Sequence, residues 1–203
     1  MRILLGILIA LSALAAIPTS TAILPAAVGQ SAPDFTLRDN EGKSHSLSDF
    51  KGKFVVLEWV NYDCPFVRAQ YNSGSMPSLQ RTYTGKGVVW LSVCSSAPGK
   101  DGYYEGTDLT SRMERMKAAP SAYLVDAQGD VGRLYAAKST PTMFVVDPLG
   151  TLIYAGGIDD TPTTNPSEVT HSRNYVREAL DLSMAGKPVD VTYSRSYGCS
   201  VKY

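Results

Sequence analysis

The chain has 203 residues, and its 19 lysines and arginines balance 19 aspartates and glutamates, so the formal net charge is zero. That balance leaves no strong field to attract nucleic acid or an anionic membrane. The composition, 44% hydrophobic and 19% charged, has no low-complexity tract or repeat and suits one domain with a sizeable core and short appendages.

At the N-terminus, Met1-Arg2 precedes an apolar run over 3–17 and a small-residue stretch ending at Ala22. A charged start, a short apolar segment and Ser20-x-Ala22 read as a secretory signal peptide over 1–22. A membrane anchor, the alternative, needs about 20 apolar residues, so no stable membrane span is expected after cleavage. No cysteine follows the run before Cys64, which argues against lipid attachment, and the single arginine argues against a twin-arginine signal. The mature chain is expected to start near Ile23 and to be exported, to a periplasm or beyond the cell, where thiols meet an oxidising medium.

The spacing then predicts short strands at 34–37 and after the D-N-E-G turn, and one helical turn at 47–50. The run 53–60, K-F-V-V-L-E-W-V, has the near-continuous apolar character of a central parallel strand. Helical spacing over 63–83 is interrupted by Asn72-Ser73-Gly74 and Pro77, which predict a break or kink. A second buried strand is expected at 88–93, then a polar loop at 95–106 and a helix at 109–118. A strand at 122–125 and a helix at 130–137 follow. The runs 142–146 and 152–155 flank D-P-L-G as a hairpin, and a last helix at 171–185 stops at Gly186 and Pro188. The tail, 187–203, has no period and ends in Y-G-C-S-V-K-Y. Strands alternating with helices, then a hairpin and a closing helix, imply an α/β domain with a mixed sheet and helices on both faces.

Three cysteines, Cys64, Cys94 and Cys199, leave at least one without an intramolecular partner in an exported chain. Cys64 falls where a parallel strand ends and a helix begins, the sheet edge at which α/β proteins place ligands. Pro65 fits the first helical position, and Asp63 beside the cysteine is expected to cap the helix or point to water. A thiolate there faces unpaired N–H groups and the positive helix end, which can draw a thiol from about 8.5 into roughly the 3.5–7.5 range. The bland reading is a buried inert cysteine. Glu58 interrupts an apolar strand. A buried carboxyl with a raised pKa would exchange the cysteine's proton, whereas one at the edge would face water or pair with a lysine. His45 and His171 read as surface residues, and Asp159-Asp160 as loop and capping chemistry. No cofactor and no metal site are expected.

The order of elements, with Cys64-Pro65 at the first helix start and Thr140-Pro141 before the hairpin, resembles the thioredoxin fold. The A-P-D-F-T-L opening, F-V-V-D-P-L-G-T-L-I-Y, G-x-I-D-D ending at Asp160 and the terminal G-C-S-V-K-Y narrow the resemblance to peroxiredoxin-like redoxins of the alkyl hydroperoxide reductase C and thiol-specific antioxidant type. It covers roughly 27–186. With the N-terminal pattern, it divides the chain into an expected signal peptide (1–22), a redoxin domain (23–186) and a tail (187–203) carrying Cys199. It also implies that Pro141 is cis and packs beside Cys64, with the Thr140 backbone as a docking edge for an extended substrate. Thioredoxins carry a second cysteine three residues after the first, but that position is Val67, and Asn61 stands three before. A partner must therefore come from afar: Cys199 is favoured and Cys94 is the alternative. Peroxiredoxins place a Thr or Ser where Asn61 stands and an Arg near the strand where this chain has Pro141, donors that peroxide cleavage draws on. Thiol–disulfide exchange needs only a thiolate, an accessible disulfide and an in-line approach.

The expected function is thus an exported thiol–disulfide oxidoreductase with Cys64 as nucleophile and Cys199 resolving. It would act on a protein disulfide or thiol with an external thiol reductant. The alternatives are a peroxiredoxin-like thiol peroxidase with an antioxidant role, its substrate a peroxide, and a non-enzymatic copper- or protein-binding module on the same fold.

Overall fold

The computed structural model describes residues 25–203, so the expected signal peptide lies outside the described residues. In chain order the elements are β1 (Thr36–Asp39), β2 (Ser44–Ser46), one 3-10 turn (Leu47–Phe50), β3 (Val55–Trp59), α1 (Pro65–Asn72), α2 (Ser75–Thr84), β4 (Val89–Cys94) and α3 (Gly106–Arg115). Then come β5 (Ala122–Val125), α4 (Asp130–Leu134), β6 (Ser139–Thr140), β7 (Thr142–Val146), β8 (Leu152–Gly156), α5 (Pro166–Val169), α6 (Tyr175–Met184) and β9 (Cys199–Ser200).

Seven strands form one mixed sheet in the order β2-β1-β5-β4-β3-β7-β8. Its centre, β3-β4-β5, is parallel, and β7 and β1 join it antiparallel. Every residue of β3 is buried because both sheet faces are covered. Val56 and Val60 point into a core with Val67 and Tyr71 of α1, Leu79 of α2 and Val176 and Leu180 of α6. Val55, Leu57 and Trp59 point the other way, onto Phe35, Val131, Tyr135 and Phe144. This is the α/β architecture with helices on both faces that the element order implies.

The helical pattern at 63–83 divides at Ser73-Gly74, with Gly74 at φ +80°, a conformation glycine adopts without strain. Pro77 causes no break, because it lies in the first turn of α2, where an N–H has no helical partner to lose. The closing helix starts at Tyr175, four residues later than expected, since the Asn174 side chain accepts the Arg177 N–H at 2.8 Å and caps it. A short helix, α5, has no period long enough to announce it, although Asn165 caps it and Pro166 opens it.

The aperiodic tail is a strap laid along the body. Ala155 N–H donates to Thr192 O at 3.1 Å and Ser194 N–H to Ala155 O at 3.2 Å. Farther on, Val201 N–H donates to Lys138 O at 3.1 Å and Ala97 N–H to Lys202 O at 2.8 Å. Between these stations β9 pairs antiparallel with β6, Cys199 opposite Thr140. Among the described residues no helix is long and apolar enough to cross a membrane.

Candidate active site

After β3 the chain turns through Asn61, Tyr62 and Asp63, and Cys64 N–H closes the turn on Asn61 O at 3.0 Å. Cys64 then stands in extended backbone as the N-cap of α1, with Pro65 at the first helical position. Its sulfur is buried, 2% exposed, and as a thiol it donates to Thr140 O at 3.2 Å. The Thr140–Pro141 bond is cis.

Cys199 arrives on the strap. Pairing of β9 with β6 sets it directly opposite Thr140, so one backbone residue, Thr140, fixes both sulfurs. Gly198 makes the approach possible: a Cβ there would lie 2.0 Å from Thr140 O. The strap is held further by Tyr197, whose ring packs on Phe66 with centroids 5.9 Å apart and whose hydroxyl donates to Asp159.

The two thiols are unequal. Burial alone would raise the Cys64 pKa, but the Cys199 thiol, the Val67 and Cys199 N–H groups and the Thr140 side chain outweigh it and hold it below the ordinary thiol value. Thr140 Oγ1 is buried with no other hydrogen-bond partner among the described residues, which leaves it free to donate to the sulfur. For Cys199 burial, the hydrogen bond to Cys64 and the Cys64 charge all push upward, to about 12. Both cysteines are thiols rather than a disulfide here. When one proton leaves the pair, the charge therefore settles on Cys64.

The other expected residues sit apart from this pair. Cys94 is buried and its thiol donates to Gly102 O at 3.3 Å. Glu58 is fully buried and accepts from Tyr71 Oη at 2.8 Å, Gln80 Nε2 at 2.9 Å, Trp90 Nε1 at 2.8 Å and Ser92 Oγ at 2.9 Å. Burial raises its pKa, against the pull of those four donors. None of these bonds runs to Cys64. Asp63 does not cap α1: its partly exposed carboxylate accepts from Arg112 at 2.9 Å, from Gly102 N at 3.1 Å and from Tyr104 Oη. The Asn61 side chain is engaged elsewhere, accepting from Asp63 N at 2.8 Å and donating to Asp101 O at 3.1 Å. His45 is tied to Asp39 at 2.7 Å. Sequence reasoning missed the Thr140 hydroxyl, Arg112 and the Tyr197–Asp159 contact, because each depends on segments distant in the chain. The Thr-Pro dipeptide was the one local signal available.

A model of the AhpC/TSA family matches residues 28–155. Thiol-disulfide oxidoreductase ResA of Geobacillus thermodenitrificans is 32% identical over 127 residues, 61% of this chain and 66% of that protein. The thioredoxin-like protein YneN of Bacillus subtilis is 30% identical over 129 residues, 61% of this chain and 68% of that protein. The chain thus matches just under two thirds of the length of the ResA relative. Among solved structures, an uncharacterized conserved protein from Geobacillus kaustophilus superposes with a TM-score of 0.75 at 27% identity, covering 87% of this chain and 92% of that one. With a family match that takes in β3, Cys64, Pro141 and most of β8, and with a thioredoxin-like sheet beneath them, the chain belongs to the AhpC/TSA family.

Proposed function

We propose that this protein is a thiol–disulfide oxidoreductase in which Cys64 is the nucleophile and Cys199 the resolving cysteine. The carrying observation is the pair itself: a buried thiol at a helix start, with a second cysteine set beside it by the pairing of β9 on Thr140. The Cys64 thiolate attacks one sulfur of a substrate disulfide; the other sulfur leaves as a thiolate and takes a proton. The adduct cancels the charge on Cys64 and with it two of the causes that hold the Cys199 proton in place. Cys199 then attacks the Cys64 sulfur, expels the second substrate thiol and closes a Cys64–Cys199 disulfide. An external thiol reductant returns the pair to the dithiol. Run backwards, the same steps oxidise a protein dithiol.

In this reading 23–186 is the redoxin body and 187–203 the arm that brings the second thiol, with Thr140 and Pro141 forming the edge on which it docks. Glu58 anchors α1 and α2 beneath the nucleophile. Export rests on the charged, apolar and small-residue pattern at 1–22, and the ResA and thioredoxin-like names of the relatives support protein thiols as partners.

A second reading has one observation in its favour. With the strap docked, Cys64 is 2% exposed and the Thr140 edge is filled, which suits a small oxidant. Peroxide attacked by the Cys64 thiolate would give a sulfenic acid and hydroxide, and condensation with Cys199 would give the same disulfide and water. Reduction of insulin by the dithiol form, set beside consumption of hydrogen peroxide, decides between the two. Loss of both activities in Cys64→Ser is expected. A fully active Cys64→Ser protein sinks the assignment.

A further inference from the structure

We propose that Asp159 is the positioning residue for the resolving cysteine, an inference that rests on the reading of Cys199 above. Asp159 is buried, 3% exposed, just beyond β8, and four donors from four segments meet on its carboxylate. Oδ2 accepts from Gln70 Nε2 at 2.6 Å and Ser172 Oγ at 3.0 Å. Oδ1 accepts from the Tyr197 hydroxyl and from Thr161 N at 3.1 Å.

Two of these donors matter for chemistry. Gln70 lies on α1, the helix that begins at Cys64, and Tyr197 lies two residues before Cys199 on the strap. One carboxylate therefore ties the element carrying the nucleophile to the segment carrying its partner. Gln70 Nε2 also reaches the Tyr197 oxygen at 3.3 Å, so the three side chains form a closed triangle. Tyr197 packs on Phe66, two residues after Cys64. Burial and then the charge of Asp159 push the Tyr197 pKa upward, which keeps the phenol a donor.

The consequence falls on one step. Attack by Cys64 on a substrate does not depend on the alignment of the Cys199 sulfur. Attack by Cys199 on the Cys64 adduct needs the strap to hold Cys199 in line with the bond that breaks, and a misplacement of about 1 Å can cost about 100-fold. With Tyr197 untied, the local concentration of Cys199 drops toward that of a flexible tether. In the step itself the Cys199 sulfur bonds to the Cys64 sulfur, the Cys64–substrate bond breaks, and its electron pair leaves on the substrate sulfur as a thiolate.

The test is single-turnover reaction of the reduced full chain with 5,5′-dithiobis(2-nitrobenzoic acid), which releases one thionitrobenzoate when Cys64 attacks and a second when Cys199 resolves. In Asp159→Ala and in Tyr197→Phe, which keeps the ring on Phe66, the first release is expected to persist at the parent rate or faster, because a loosened strap uncovers Cys64. The second is expected to slow by roughly tenfold or more, with the Cys64 adduct visible by mass spectrometry. A second release at the parent rate in a folded Tyr197→Phe protein overturns the proposal, as does equal slowing of both releases. The control separates the two readings: Cys199→Ser must stop after the first release, and if it does not, the assignment of Cys199 fails and the role of Asp159 with it, whereas a control that stops beside a Tyr197→Phe protein that resolves at the parent rate sinks the role of Asp159 alone.

Discussion

Gly198 passes so close to Thr140 that a side chain at position 198 has no place: an added Cβ would sit 2.0 Å from the Thr140 carbonyl oxygen and 3.4 Å from Pro141 Cδ. Gly198 also holds φ +112°, which L side chains rarely adopt. Gly198→Ala is therefore expected to lift the strap from β6 while leaving the sheet intact, because the clash and the strain, about 1–3 kcal/mol for the backbone alone, are confined to one short pairing. Native-state alkylation of Cys64 by iodoacetamide should speed up several-fold, with the far-ultraviolet circular dichroism unchanged. An alkylation rate equal to that of the parent would mean that the strap does not cover Cys64 in solution.

Much of this was legible in the chain. The apolar runs of β3, β4 and β7, the break at Gly74 and the cysteine at a strand-to-helix junction are local patterns, and each is where the spacing put it. The strap was not. Its residues pair with Thr140, Ala155 and Lys138, sites far away in sequence, and two-residue strands such as β6 and β9 are too short to show a period. Asp63 shows the same limit from the other side. A carboxylate before a helix reads as a cap, but Arg112, 49 residues later, claims it in the folded chain.

The unequal acidities of Cys64 and Cys199 predict opposite responses to removing each partner. In Cys199→Ala the Cys64 sulfur loses the thiol that donates to it, and a hydrogen bond to a charged group is worth about 1.5–3 kcal/mol. The pH at which Cys64 becomes half-reactive toward iodoacetamide is therefore expected to rise. In Cys64→Ala the charge and the hydrogen bond that hold the Cys199 proton vanish, so Cys199 should react at a lower pH than the value of about 12 to which its partner and burial push it. Stopped-flow alkylation from pH 5 to 10 measures both. Curves that do not move would show that the sulfurs share no proton.

Glu58 is buried with its pKa raised above the ordinary 4.5, burial being the cause. A raised acid binds its proton more tightly in the folded state. Its contribution to stability is then full below 4.5 and is lost as pH rises through the folded value. Glu58→Gln imitates the protonated form and should remove that pH dependence at a modest cost, about 1 kcal/mol. Glu58→Ala strands Tyr71, Gln80, Trp90 and Ser92 and should cost more than about 3 kcal/mol, since each buried unsatisfied group costs about 1–3 kcal/mol. Urea unfolding at pH 5 and pH 8 reads these differences. As no hydrogen bond joins Glu58 to Cys64, the Cys64 alkylation curve of Glu58→Gln is expected to match the parent. A displaced curve would restore a direct proton exchange between the two.

Arg112 governs the charge next door to Cys64. Its guanidinium lies 2.9 Å from Asp63 Oδ1 and 3.6 Å from the centre of the Tyr104 ring, so it both neutralises Asp63 and clamps the loop that carries Gly102. Arg112→Ala leaves the Asp63 carboxylate uncompensated beside Cys64, and a like charge disfavours a thiolate. The half-reactive pH of Cys64 is expected to rise, though less than in Cys199→Ala, because Asp63 and Arg112 are both partly exposed to solvent and water screens them. Added salt should shrink the difference, as the Debye length falls from about 10 Å at 0.1 M to about 3 Å at 1 M. Arg112→Lys keeps the charge but loses the planar stacking on Tyr104. It should therefore restore the alkylation curve while leaving the loop more open to protease. If alanine and lysine shift the curve equally, the effect runs through the loop and not through charge.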